Sequence, residues 1–289
     1  MPATARAMPA LVAVALLVAG CGSSASTSSS AATAGATTAP AQVAARARSR
    51  SVPRLIPPPG APDRSVHVPV LTFHRVARLK PDAPAITVDL TVDPANFTAE
   101  LAALHDAGYH AVSQAQLFDA LYHGATLPSK PVLISVDDGY VDDVTRILPA
   151  LARYHMVATF FVITGRFTMP GFLDAAQVRQ LDRAGMDIGD HTAHHVDLRL
   201  LTAAELRAET LGSRRVMQRT LGHFVYAFAY PFGAEDPTVL AAVRAAGFTM
   251  AYTTAGGTTE STSAPLLMPR LHIGRAVTPS GLLALLGGA

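Results

Sequence analysis

From residue 67 onward the chain alternates short apolar runs with stretches of helical period. "HVPVLTFH" runs apolar up to His74 and "KPVLISV" up to Asp137, while "ATFFVIT", "MDIGD", "YAFAYPFG" and "FTMAYTT" repeat the form. Each predicts a buried strand. The segments between them carry their own start and stop signals. In "DPANFTAELAALHDAG", Asp93 stands as N-cap, Pro94 at the first helical position, Phe97, Leu101 and Leu104 on one face, and Gly108 at the stop. "SQAQLFDALYHG" spaces Ser113 and Gln116 as a capping box. A helix follows the acidic strand end through Leu151, "DAAQVRQLDRAG" and "DPTVLAAVRAAG" are helices, and "TAAELRAETLGSRRVMQRTLG" is one long helix opened by Thr202 and Glu205. Strand alternating with helix argues for an α/β fold with parallel strands inside and helices outside. Such a chain closes naturally as a (β/α) barrel, complete or with a gap, and barrels of this kind collect chemistry at the C-terminal ends of their strands. The distinctive polar residues fall at those ends. His74 ends one strand, Asp137 and Asp138 another, His191 follows "MDIGD", Tyr230 to Gly233 end a fourth, and Arg270 lies on or beside a late strand.

Before residue 67 the pattern changes. Arg6 precedes the apolar run Ala10 to Gly20, too short to span a bilayer and of the length of a signal-peptide core. Val18 to Cys21 resemble the bacterial lipobox, so residues 1–21 are expected to be a lipoprotein-type signal peptide with Cys21 as the lipidated residue. An ordinary secretory signal with a chance cysteine is the alternative, and either exports the protein, lipid-anchored outside the cytoplasm or secreted. Residues 22–66 are rich in Ser, Ala, Thr and Pro and lack the large apolar side chains that repay ordering, which predicts a disordered tether. A single folded domain is expected over 67–289, touching the membrane only through the lipid.

Composition narrows the chemistry. With 49% hydrophobic and 15% charged residues a sizeable core is available. The single cysteine excludes an internal disulfide and a Cys-rich metal cluster, so a metal site must use His and carboxylate. The net charge of +2 carries little meaning, because Arg46, Arg48, Arg50, Arg54 and Arg64 all lie in the tether. No basic helix follows, and nucleic acid is not an expected partner.

Two stretches carry the candidate chemistry. "SVDDG" sets Asp137 beside Asp138 at a strand end, where adjacent like charges raise each other's ionisation cost unless a cation is present. "HTAHH" sets His191 and His195 four apart, which predicts both imidazoles on one side of a helical turn, able to grip one cation. Asp138 is the third ligand this pattern asks for. Side chains of adjacent strand residues diverge, so Asp138 ligates while Asp137 reaches a water as general base. The bland readings are a solvated histidine cluster and a pair of helix caps.

These motifs are similar to those of the polysaccharide deacetylase family, the chitooligosaccharide deacetylase homology domain, over about His67 to Gly274. "SVDDG" stands where that family has Thr-Phe-Asp-Asp-Gly, and "HTAHH" where it has His-Thr/Ser-X-X-His. The resemblance implies a distorted (β/α)7 barrel, one divalent metal on Asp138, His191 and His195, and Asp137 as base. Zinc is the leading ion, with cobalt, nickel and manganese also suited. It further implies an oxyanion donor at the Phe232 amide within Tyr230-Pro231-Phe232. Ala229 stands where the third motif, Arg-X-Pro-Phe/Tyr, has its arginine, and Arg270 is the candidate substitute. "VLTFHRV" looks like the permuted arrangement of exported poly-N-acetylglucosamine deacetylases, which makes His74 the candidate acid, with His272 its competitor. His105, His110, His123 and His223 carry no role in this reading.

The expected activity is hydrolysis of acetyl groups from N-acetylated glycans, either an N-acetylglucosamine-containing polysaccharide or peptidoglycan. An O-acetyl glycan esterase and a non-catalytic glycan-binding lipoprotein are the alternatives. A metal phosphoesterase is a weaker one, since phosphate chemistry asks for more converging carboxylates. Oligomeric state leaves no sequence signal.

Overall fold

The structure is a computed structural model that describes residues 54–287, so Cys21, the expected signal peptide and residues 22–53 of the expected tether lie outside it. In chain order the strands are β1 (Ser65–His67), β2 (Val70–Phe73), β3 (Arg75–Val76), β4 (Thr91–Val92), β5 (His110–Ala111), β6 (Pro131–Asp138), β7 (Thr159–Val162), β8 (Asp187–Asp190), β9 (Ala227–Ala229), β10 (Met250–Tyr252), β11 (Thr259–Ser261) and β12 (Leu271–His272). The helices are α1 (Ala85–Asp89), α2 (Pro94–Asp106), α3 (Gln114–His123), α4 (Leu148–Arg153), α5 (Ala175–Arg183), α6 (Ala203–Arg207), α7 (Ser213–Leu221), α8 (Pro237–Ala245) and α9 (Pro279–Gly287).

The strands run β10-β9-β8-β7-β6-β2-β12, all parallel, with β5 added beside β6. The ring is closed by the residues leading into β12. Met268 N donates to Ala251 O and Thr253 N to Met268 O, each at 2.9 Å, so the chain that pairs with β2 also bridges β10. The seven strands of that path form the distorted (β/α)7 barrel.

Period-two alternation divides the core into two layers. Val70, Leu133, Phe161, Ala227, Ala229 and Tyr252 fill the barrel, while Leu71, Phe73, Ile134, Val136, Phe160, Val162, Phe228 and Ala251 pack under the helices. Each of the Val, Leu, Ile and Phe side chains among them, removed from water, contributes about 1.5–3 kcal/mol. The helices start where their caps are. Asp93 accepts from Ala95 N, Ser113 and Gln116 form a capping box, and so do Thr202 and Glu205.

Two expectations need correcting. The long helix from Thr202 is interrupted by a π turn at Ala208–Gly212 between α6 and α7. Packing also begins before His67: Leu55 is buried, Arg64 Nη1 donates to Leu121 O at 2.9 Å, and β1 pairs antiparallel with β11. These contacts draw the last dozen residues of the expected tether onto the barrel.

Candidate active site

A cavity of about 420 Å³ opens at the C-terminal ends of the strands. Its floor is polar because the inward set along β2 and β6 changes character near the strand ends. Below are Val70 and Leu133; above are Thr72, Ser135 and Asp137, with Thr72 Oγ1 and Ser135 Oγ 3.3 Å apart. Asp137 is 2% exposed and accepts two hydrogen bonds from Arg270, Nη1 to Oδ1 at 2.9 Å and Nη2 to Oδ2 at 2.8 Å. Arg270 Nε donates to Thr253 O at 3.0 Å, which fixes the plane of the guanidinium. Burial would push the Asp137 carboxyl up, but Arg270, then His191 and His74, more than offset it and hold it at about 2.

Asp138 is turned by a left-handed backbone, φ +80°, and Gly139 follows at φ +73°. Its Oδ1 is buried with no hydrogen-bond partner and lies 3.7 Å from His191 Nε2 and 3.4 Å from His195 Nε2. One ligand atom from each of these three residues falls within 4.8 Å of the others. His191 Nδ1 sits 2.8 Å from Ala229 O, which can only accept, so Nδ1 carries the hydrogen and Nε2 offers its lone pair. Burial lowers His191 to about 3 and also lowers His195, keeping both imidazoles neutral, while it raises Asp138. An orphaned carboxylate oxygen facing two neutral imidazoles, one of them oriented by a backbone carbonyl, is a donor set that fits a divalent cation.

The two histidines do not meet on a helical turn. Residues 191–197 form an irregular loop in which Thr192 (φ +68°) and His195 (φ +57°) are left-handed. Thr192 N donates to Asp190 Oδ1 and His195 N to Thr192 Oγ1, both at 2.9 Å. That turn brings the rings to a centroid distance of 4.8 Å. Spacing of four was a correct signal with the wrong geometry behind it.

His74 follows β2 and lines the cavity; its Nδ1 is buried without a partner. Burial lowers its pKa, with Asp137 and Asp138 opposing the shift. His272 also lines the cavity, its ring 5.7 Å from that of His74 and its Nε2 3.3 Å from Asp89 Oδ2. Both residues weighed for the acid are therefore present. Phe232 adopts φ +60°, is 65% exposed, and sets its ring 4.7 Å from that of His195. Tyr230 also lines the cavity, while its ring packs against Phe228 and its hydroxyl donates to Leu266 O at 3.0 Å. Pro231 is buried and lies outside the cavity lining.

The sequence reading missed Thr72, Ser135, Ile86 and Asp89, which surround the same cavity or its floor. Thr72 and Ser135 precede His74 and Asp137 by two, so polar residues at inward strand positions were the available signal. Ile86 and Asp89 belong to α1, whose N-cap, Pro84, makes no side-chain hydrogen bond.

A parallel barrel with a carboxylate and two imidazoles converging beside a guanidinium-held carboxylate is the frame of a hydrolase. The sequence model of the polysaccharide deacetylase family matches residues 124–251. YxkH of Bacillus subtilis (strain 168), whose assignment as a polysaccharide deacetylase is itself provisional, is 25% identical over 218 residues, 75% of each chain. The peptidoglycan-N-acetylmuramic acid deacetylase PdaA of the same organism is 34% identical over 106 residues, 36% of this chain and 38% of that one. The Streptococcus pyogenes deacetylase PplD, solved in complex with acetate, superposes with a TM-score of 0.72 at 26% identity, covering 77% of this chain and 99% of its own. Residues 124–251 match the polysaccharide deacetylase domain, and the chain is a hydrolase acting on carbon–nitrogen bonds.

Proposed function

We propose that the chain removes acetyl groups from N-acetylated glycans, an N-acetylglucosamine-containing polysaccharide or peptidoglycan, with Asp137 as base and His74 as acid. The observation that carries this reading is the convergence of Asp138, His191 and His195 on one point beside the Arg270-held Asp137. Asp138, His191 and His195 would hold one divalent ion, zinc first and cobalt, nickel or manganese as alternatives, which supplies Lewis-acid polarisation of a water and the acetyl carbonyl. Asp137, kept ionised by Arg270, takes a proton from the water as its oxygen attacks the acetyl carbon. The Phe232 N–H, within the 3₁₀ segment Pro231–Gly233, would donate to the developing oxyanion. His74 gives a proton to the amide nitrogen as the carbon–nitrogen bond breaks, leaving acetate and a free amine. Arg270 does for Asp137 what the absent motif arginine at Ala229 would do.

Acetate release from N-acetylglucosamine oligomers tests this. A chelator, or Asp138→Ala, should abolish release, and unchanged release in either would remove the ion from the mechanism. Running O-acetylated oligosaccharides in parallel separates an esterase from an amidase, and binding without any turnover would favour the glycan-binding alternative. We place the activity outside the cytoplasm, tethered through a lipid on Cys21, on the strength of the Val18–Cys21 pattern. Fatty-acid labelling of the wild type but not of Cys21→Ala is the expected outcome, and label on both would refute the anchor.

A further inference from the structure

We infer that Glu209 is a positioning residue that holds the His191–His195 loop in its ligand-like shape, and that the π turn in the long helix delivers it there. The inference rests on Asp138, His191 and His195 being the ligands.

The loop needs an outside hold. It has neither helix nor strand bonding of its own, and it bends through two left-handed residues that are not glycine. Left-handed β-branched and imidazole residues persist only where the surroundings over-determine them. The carboxylate of Glu209, buried, supplies that hold at the centre of the loop. Its Oε2 accepts from Ala193 N at 3.0 Å and His194 N at 2.8 Å, the two residues between Thr192 and His195, and its Oε1 lies 2.6 Å from His194 Nδ1. Bonds from backbone N–H groups to a carboxylate are shorter and stronger than neutral ones.

The same helix also holds the start of the loop. Ser213 Oγ donates to Asp190 Oδ2 at 2.9 Å, and Asp190 Oδ1 in turn accepts from Thr192 N. On the other side the 3₁₀ turn Thr164–Arg166, just after β7, grips the loop's carbonyls, Thr164 N to Thr192 O and Gly165 N to Ala193 O. A side chain at Gly165 would place its Cβ 2.4 Å from that second oxygen. Within the helix, Leu206 and Met217 continue the apolar stripe, but the positions between them that turn inward are Glu209, Thr210 and Ser213, at and just after the π turn. A polar interruption of an apolar stripe, coincident with a π turn, is the signature of a helix bent to a local task.

The full chain and its E209A, E209D, E209Q and H194A forms should be compared by Zn²⁺ affinity, using competition with a chromophoric chelator. Thermal unfolding and deacetylation kinetics would be run on the same samples. E209A, and E209D with a stem one methylene too short to reach both N–H groups, are expected to bind Zn²⁺ roughly 10–100-fold more weakly. In both, kcat should fall and KM for the oligosaccharide should hold. E209Q keeps an acceptor of the same reach without the charge, so it should fall between wild type and E209A, whereas H194A keeps both backbone bonds and should stay close to wild type. Wild-type affinity in E209A and E209D overturns the inference, as does an E209Q form as weak as E209A. If E209A does not fold, E209D against E209Q decides by the same criterion. D138N separates the two layers of argument. Retained Zn²⁺ binding in D138N sinks the ligand reading and this inference with it, whereas lost binding in D138N with intact binding in E209D sinks this inference alone.

Discussion

Two buried carboxylates in this protein are driven in opposite directions by what faces them. Asp137 meets a bidentate guanidinium and is held at about 2, while Glu100 on α2 meets only the Asn96 amide, with Oε2 unpartnered, and burial raises it to about 8. For Asp137, the proposed base, the consequence falls on activity. Arg270→Gln should release the carboxyl upward, moving the acid limb of kcat/KM to higher pH and lowering activity at pH 7 by about 10²-fold or more. Arg270→Lys, which keeps the charge without the fork, should fall between. A fall in melting temperature with an unmoved pH profile would reduce Arg270 to a structural role. For Glu100 the consequence is stability. The folded state keeps the Glu100 proton up to about pH 8, while the unfolded chain releases it near 4.5, the ordinary value of a free glutamate. Between those limits the folded state holds more protons, so stability falls as pH rises, by at most about 1.4 kcal/mol per pH unit. Glu100→Gln removes the dependence. Urea unfolding should therefore show Glu100→Gln gaining on the wild type between pH 6 and pH 8, and parallel curves would refute the buried acid.

The end of β6 shows how much an element's last residues depend on its neighbour. A Cβ at Gly139, already at φ +73°, would stand 2.7 Å from Val162 Cγ1 on the adjoining β7. Gly139→Ala should cost about 1–3 kcal/mol in folding. It should also reduce activity beyond that loss, because Asp138 is the residue that the displaced backbone carries. Activity scaling only with the folded fraction would detach Gly139 from the site. Elements were legible in the sequence where their determinants are local. β2, β6 and β7 announce themselves by apolar runs, and α2 and α3 by Asp93, Ser113 and their glycine stops. The site was legible as residue types, since Asp137, Asp138, His191, His195, His74 and Arg270 all line one cavity. Its shape was not. A spacing of four fits a helical turn as well as the observed loop, and the bonds that choose between them come from Asp190 at the end of β8 and from Glu209, fifteen residues beyond His194 in a helix with its own pattern. Tyr230 lines the cavity as its position predicted, but the direction of its hydroxyl was not legible, because it answers to Leu266, which no local pattern reveals.

At the scale of the molecule, the candidate ion site ties together strands that do not touch. Asp138 ends β6 and His191 follows β8, with β7 between them, so an ion held by Asp138, His191 and His195 would brace the mouth of the barrel across an intervening strand. The same side chains, without a cation, leave a buried carboxylate oxygen unanswered, which opposes the folded state. Binding to the folded chain and not to the unfolded one must then appear as stability. At a free Zn²⁺ concentration about 100 times its Kd the gain is about 2.7 kcal/mol. For a domain of this size each kcal/mol moves Tm by roughly 2–4 °C, so a rise of about 5–11 °C is expected. EDTA should reverse it. Asp138→Asn should show no rise, and its unliganded form should melt no lower than the unliganded wild type, because the substitution removes a buried charge along with the ligand. An equal Zn²⁺-induced rise in Asp138→Asn would mean that the ion binds elsewhere, and the mouth of the barrel would then owe its stability to the Glu209 and Asp190 bonds alone.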